Sequence, residues 1–174
     1  LGGSSARLTQ LLRIEKGYTY GAYSYLAGYI NDLSLWTASS SVRANVTLES
    51  LQLVRDLIEN YAPTFTDQDA DVTKNQVIKR NSRAFETLEA KANLLNRIAR
   101  QNLPHDIVER EQAMLSEMST SDFHRVIGEY LKEDEMIWIV VGDGETQREA
   151  LASFGYGDPV ELDRQGRPIK IETE

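Results

Sequence analysis

The sequence contains no cysteine and only two histidines among its 174 residues. The absence of cysteine excludes disulfide bonds, thiolate catalysis and zinc sites built on sulfur. His105 and His124 lie far apart, and neither has a second histidine three or four residues away. The zinc motifs H-E-x-x-H and H-x-x-E-H are therefore absent from this chain. We expect both histidines to be surface or capping residues.

Acidic residues outnumber basic ones. The sequence has 19 Lys and Arg and 27 Asp and Glu, which gives a formal charge of −8. This balance argues against a nucleic-acid surface, because phosphate binding depends on clustered Lys and Arg. Long apolar runs are also missing, so we expect no membrane span. The chain starts at Leu1, without a Met and at the entrance of a helix, and we interpret it as a piece of a longer protein.

Two segments imitate ligand-binding loops without completing them. The stretch "DQDADVTKNQVI" begins like a calcium loop, but Val72 and Ile78 occupy the positions of the required Gly and bidentate Glu. "GDGETQ" has neither the Lys nor the spacing of a phosphate-binding loop. We expect an acidic loop before a helix in the first case and a plain strand-to-helix turn in the second. The chain alone has no complete catalytic apparatus.

The apolar periodicity predicts an α+β fold, a mostly antiparallel sheet with helices packed on one face. A helix capped by Ser4 and Ser5 ends at Gly17, and a hairpin follows with strands at 18–30 and 33–46. Thr47 caps the next helix, and "MIWIVVGD" at 136–143 predicts a strand buried on both faces. Further helices are expected from about 72, within 84–101, and at 106–117, 122–132 and 145–154. The predicted domain covers 1–154, and 155–174 is an extended tail.

The corner "LLRIEKGYTYGAYSYLAGY" gathers five tyrosines and one arginine around a tight turn. Arg13 lies near the end of the first helix and Tyr20 follows three residues after Gly17. A guanidinium can bind a carbonyl or carboxylate, and a neutral phenol can donate a hydrogen bond to an oxyanion. Alternatively, Arg13 simply offsets the helix dipole, and tyrosines are common in half-buried strands. Both interpretations stay open on spacing alone. The other tyrosines of the corner fit strand packing: Tyr18, Tyr23, Tyr25 and Tyr29.

The segment "LGGSSARLTQLLRIEKGYTYGAYS" resembles the pitrilysin-type (insulinase-like) zinc metallopeptidases. In that family a Leu-Gly-Gly turn leads into a helix with Ser-Arg-Leu and Leu-Arg, and then Gly, an aromatic or aliphatic residue, and Tyr. This sequence differs by Ala6, inserted before Arg7 and Leu8. The likeness continues through "AFETLEAKA", "MSTSDFHRVIGEYL" and "IVVGD".

The resemblance implies paired α+β domains that close around a peptide. The first domain of the family holds the zinc on H-x-x-E-H, and the last lacks the metal and supplies an Arg and a Tyr, which fall on Arg13 and Tyr20. This chain would thus be a non-catalytic C-terminal domain with its first strands absent, and the zinc is expected in another domain or partner subunit. In the implied mechanism Arg13 binds the substrate backbone and Tyr20 donates to the tetrahedral oxyanion.

The implied partners are a peptide substrate and an N-terminal catalytic domain or partner subunit, in one long chain, a homodimer or a heterodimer. An alternative is a catalytically inactive structural or peptide-binding subunit of the same fold. The tail "GYGDPVELDRQGRPIKI" is similar to the ends of bacterial envelope members, which suggests a periplasmic or cell-envelope location.

Overall fold

The computed structural model describes residues 6–27, 34–83 and 85–169. The chain divides into two compact units, one formed by 1–25, 37–57 and 135–174 and the other by 26–36 and 58–134. The described part contains seven α-helices and a two-stranded antiparallel sheet. The predicted α+β class is confirmed. The predicted boundary between a domain at 1–154 and a tail stays a prediction.

The opening helix and most of the hairpin belong to the first unit. Helix α1 covers Arg7–Thr9 and continues as a π-helix at Gln10–Glu15. Strands β1 (Thr19–Ala27) and β2 (Leu35–Val42) form the predicted hairpin, with shorter strands than expected. Ala6 stands at the N-cap position of α1. The predicted serine cap at Ser4 and Ser5 and the predicted turn between 30 and 33 lie outside the described residues.

The chain after β2 reaches its next helix through a short 3₁₀ turn, Ala44–Val46. Helix α2 then covers Thr47–Glu59. The predicted cap is wrong in its detail, because the Thr47 hydroxyl donates to the Ala44 carbonyl at 2.9 Å. Residues 43–46, predicted as the end of the strand, turn the chain instead.

A capping box sets the start of the first helix of the second unit. Helix α3 covers Asp67–Arg83, so it begins before the predicted residue 72. The Thr66 amide donates to the Asp69 carboxylate at 2.8 Å, and the Asp69 amide donates to the Thr66 hydroxyl at 3.3 Å. These reciprocal bonds satisfy two amides that a helix start leaves free. The predicted acidic loop is thus largely helix.

Three more helices complete the second unit: α4 (Leu88–Gln101), α5 (Ile107–Glu117) and α6 (Thr120–Tyr130). Thr87 caps α4 by accepting from the Ala90 amide. Ser119 and Asp122 form a capping box at α6.

The strand predicted at 136–143 is wrong. Residues 136–141 pair with no described strand, and Ile137, Ile139 and Val141 are 79–96% exposed. The physical reason is that a strand needs a neighbouring strand for its backbone hydrogen bonds. In the described residues β1 and β2 pair only with each other. Helix α7 follows at Gly144–Ala152, capped by Asp143. Beyond it the tail folds back through a bridge between Leu162 and Pro168.

Each unit has its own apolar core. In the first, Leu12 is 1% exposed and packs with residues of α1, the hairpin and α2: Leu8, Ala22, Ala38, Leu53, Val54 and Leu57. In the second, the rings of Phe65 and Phe123 lie 5.3 Å apart. Around these rings lie Tyr61, Ala70, Leu115, Met118 and Ile127. The first core fixes the helix end and the strand start that carry the predicted site.

Candidate functional site

The helix that carries Arg13 ends in a widened turn. At the end of the π-helix, the Lys16 amide donates to the Leu11 carbonyl at 3.1 Å and the Tyr18 amide donates to the Leu12 carbonyl at 2.8 Å. Because Leu12 is buried, the wide turn is anchored to the core. Segments of π-helix occur frequently at functional sites. The α-helical spacing of the sequence did not predict this geometry.

Gly17 reverses the chain between the helix and β1. Its φ of +62° lies in the left-handed region, where glycine carries no steric penalty. Sequence reasoning predicted this C′ position. The reversal brings the first residues of β1 back towards the end of the helix.

The structure brings Arg13 and Tyr20 together across this turn. The guanidinium carbon of Arg13 lies 5.9 Å from the centre of the Tyr20 ring, within the range of cation–π attraction. Tyr20 is 93% exposed, and Arg13 is exposed as well. The two side chains therefore share one solvent-facing position, and both polar ends are accessible to a ligand. Their roles in binding or catalysis stay a prediction.

A second polar cluster fixes the same turn to α2. The Lys16 ammonium lies 3.3 Å from a Glu49 carboxylate oxygen. The Tyr18 hydroxyl donates to the same carboxylate, and this hydrogen bond raises the pKa of Tyr18 and lowers the pKa of Glu49. Both residues that flank Gly17 are thus tied to one helix. The sequence gave no local signal for the contact, because Glu49 is remote in the chain.

Hydrogen bonds from the opening helix and from β2 hold the start of β1 in place. The buried Thr9 hydroxyl donates to the Ala22 carbonyl at 3.0 Å. The Ser40 hydroxyl donates to the Thr19 hydroxyl at 2.9 Å and to the Gly21 carbonyl at 3.1 Å. These bonds fix the strand on either side of Tyr20.

The remaining described tyrosines of the corner are set apart from the pair. Side chains alternate between the two faces of a strand, so Tyr23 and Tyr25 lie on the face opposite Tyr20. A Cβ at Gly21 would lie 2.5 Å from the Tyr23 hydroxyl, so this glycine leaves room for the Tyr23 ring. Tyr29 lies outside the described residues.

No group of described residues fits a metal ion. His124 places its Nε2 2.7 Å from the Phe65 carbonyl oxygen and its ring edge-on to Phe65. The imitation of a calcium loop at 67–78 is helical, and Asp143 caps α7 through the Glu145 amide. A zinc ion does not fit the side chains described in this chain. No helix in the described ranges is long and apolar enough to cross a membrane.

The segment that contains Arg13 and Tyr20 also matches a known protein-family model. Residues 1–77 match the family model of the peptidase M16 inactive domain. The predicted resemblance to the non-catalytic domain of the pitrilysin family is confirmed. The matched range contains the π-helix, the hairpin and α2.

The fold matches a solved member of the M16 group. The crystal structure of the peptidase M16 inactive domain from Pseudomonas fluorescens superimposes with a TM-score of 0.63 at 22% identity. The match covers 77% of this chain and 32% of that chain, so this chain spans about a third of its structural relative. At this identity the likeness establishes the fold alone. No curated protein matches the sequence significantly.

Proposed function

We propose that this chain is the M16 inactive domain of a zinc-dependent peptidase, and that Arg13 and Tyr20 act on a peptide bound at a zinc site in another domain or subunit. The observation that carries the proposal is the exposed pair itself, with the guanidinium 5.9 Å from the phenol ring at a rigid turn. The pair lies inside the range matched to the M16 inactive domain.

The chemistry of the two groups suits a peptide that is being cleaved. The Tyr20 hydroxyl can donate a hydrogen bond to the oxyanion that develops on the scissile carbonyl. The Arg13 guanidinium carries five donors in a planar fork and can hold a neighbouring peptide carbonyl. Leu12, the Thr9 hydrogen bond and the Lys16–Glu49 contact hold the turn, so little reorganisation is needed when the peptide binds.

In this proposal the metal is held by another domain or subunit, which is consistent with the lack of a metal-binding group among the described residues. The zinc supplies Lewis acidity in its own domain when it is bound, and this chain contributes hydrogen-bond donors. The catalytic partner is a second domain of one chain or a separate subunit, and a homodimer or heterodimer would serve equally. A periplasmic location is part of the same proposal.

The proposal is tested by Tyr20→Phe in the complete protein with its zinc-bearing domain or subunit. Loss of one oxyanion donor lowers kcat by about 10²–10³ in known cases, and we expect a fall of at least about tenfold with KM nearly unchanged. Tyr25→Phe is the matched control, since this ring is 56% exposed on the other face of β1. Equal turnover in Tyr20→Phe and Tyr25→Phe would remove Tyr20 from the reaction.

Arg13 is tested separately because its proposed role is binding. Arg13→Lys keeps the charge but loses the planar fork, and Arg13→Gln loses both. We expect KM to rise in both variants, more strongly in Arg13→Gln. If the protein binds peptide through Arg13 but no zinc-bearing partner ever gives hydrolysis, the chain belongs to an inactive peptide-binding subunit and the catalytic proposal fails.

A further inference from the structure

One side chain of α2 contacts both residues that flank Gly17. The Glu49 carboxylate lies 3.3 Å from the Lys16 ammonium and accepts a hydrogen bond from the Tyr18 hydroxyl. The Lys16 ammonium in turn lies 6.0 Å from the centre of the Tyr18 ring, at the limit of cation–π attraction. We call these three side chains, Lys16, Tyr18 and Glu49, the Gly17 clamp. The clamp joins the end of one helix, the residue before β1 and the start of a second helix.

Gly17 is the position where such a restraint has the largest effect. Glycine has more backbone freedom than any other residue, and nothing lies within 4 Å of a Cβ built at Gly17. Arg13 lies on the helix before this glycine and Tyr20 on the strand after it. A backbone rotation at Gly17 therefore changes the distance between the guanidinium and the phenol. The main-chain hydrogen bonds of the turn run back to its own helix, and the clamp adds a restraint from α2.

Helix α2 is a fixed base for the clamp. Three of its residues pack in the same core as the fully buried Leu12: Leu53, Val54 and Leu57. Glu49 lies in the first turn of this helix, where the helix dipole favours a carboxylate. The carboxylate that reaches the turn is therefore carried by a helix whose own position is set by apolar packing.

We infer that Glu49 is a positioning residue for the Arg13–Tyr20 pair and acts through the other two members of the clamp, across Gly17. This inference rests on the proposed function, because it takes Tyr20 as the donor to the oxyanion. In this role Glu49 does not touch the peptide. It limits the rotation that would move the phenol away from the reacting carbonyl. Misplacement of a reacting group by about 1 Å can cost about 10² in rate, but exposed ionic contacts are weak, so we expect a loss of about two- to fivefold.

The test compares turnover in the complete protein with its zinc-bearing domain or subunit. Glu49→Gln removes the charge and keeps the side-chain length, and we expect kcat to fall about two- to fivefold. Tyr18→Phe removes only the hydroxyl and should lower kcat in the same direction. The matched control is Glu59→Gln, the same change at an exposed residue at the other end of α2, and it should leave kcat unchanged. The urea midpoint of Glu49→Gln should stay close to that of the parent, because exposed contacts contribute little to stability.

A double variant shows whether Glu49 acts through Tyr20. We expect Glu49→Gln to lower kcat in the parent protein but not in the Tyr20→Phe background, since residues that act through one another are not additive. Equal falls in both backgrounds, or equal kcat in Glu49→Gln and Glu59→Gln, overturn the inference and leave the role of Tyr20 standing.

Two other outcomes also overturn the inference. If Tyr20→Phe leaves kcat unchanged, the proposed function fails and the role of Glu49 fails with it. If the urea midpoint of Glu49→Gln falls together with kcat, loss of folded protein explains the lower turnover, and Glu49 is a structural residue only.

Discussion

Replacing Gly17 by alanine should destabilise the protein although the new methyl group clashes with no other atom. No heavy atom lies within 4 Å of a Cβ at Gly17, so the cost comes only from its φ of +62°. A left-handed conformation costs an L-residue about 1–2 kcal/mol. The reduced freedom of the unfolded chain offsets about 0.4–1 kcal/mol of this. We expect a net loss of about 1 kcal/mol, and a smaller loss for Gly17→Asn, since Asn tolerates this region.

Gly128 provides a control with the opposite sign. It lies within α6, also has nothing within 4 Å of a Cβ, and has no positive φ. Gly128→Ala should raise the free energy of unfolding by about 0.5–1 kcal/mol. The assay is urea unfolding monitored by circular dichroism. Unfolding midpoints are compared between variants whose unfolding free energy depends equally on urea concentration. A Gly17→Ala variant that is as stable as the parent, or more stable, would refute the left-handed turn.

Three further changes test the core, a cap and the turn contact. Leu12→Ala should lower the free energy of unfolding by about 2–5 kcal/mol, because the side chain is fully buried; a loss below about 1 kcal/mol would contradict its place in the core. Ser119→Ala should cost about 1 kcal/mol in the same assay, because the α6 cap is lost; no change would mean that the capping box does not contribute. Glu49→Gln should bring the pKa of Tyr18 down towards its ordinary value of 10.0, measured by NMR titration of the ring. An unchanged Tyr18 titration would exclude the hydrogen bond.

The contact between Tyr18 and Glu49 also has a defined pH window. The pKa of Glu49 is lowered from 4.5, so its contribution to stability is present above that value and is lost as the pH falls through the folded pKa. The pKa of Tyr18 is raised from 10.0, so its contribution is present below pH 10.0 and is lost as the pH rises through the folded pKa. Glu49 is exposed and Tyr18 is only half-buried, so the effect on stability is small.

Local chemistry explains why much of the first unit could be predicted. The helix ends at Gly17 because a helix end often requires a left-handed φ, which glycine adopts without steric penalty. The aromatic and β-branched residues that follow favour a strand. The meeting of Arg13 and Tyr20 follows from these two local signals. The capping box at Ser119 and Asp122 is local too. The sequence carries the equivalent signal at Thr66 and Asp69, where the prediction of an acidic loop is wrong.

Features that depend on distant residues could not be predicted. The continuous run at 136–143 is compatible with a buried strand, but burial requires neighbouring strands, and the described sheet has only two. Sequence periodicity does not distinguish an α-helix that ends normally from one that widens into a π turn at Arg13. The contact of Glu49 with Lys16 and Tyr18 joins residues that are remote in the chain.

The central claim is that Tyr20 stabilises the transition state of peptide cleavage, and a tetrahedral phosphinic peptide measures this directly. The inhibitor is titrated against the complete protein and its Tyr20→Phe variant, beside the substrate peptide of the same sequence. We expect Tyr20→Phe to weaken inhibitor binding by about tenfold or more and to leave substrate KM nearly unchanged, because in the proposed role the phenol donates only to the developing oxyanion. Equal weakening of inhibitor and substrate, or no weakening of either, would contradict the account.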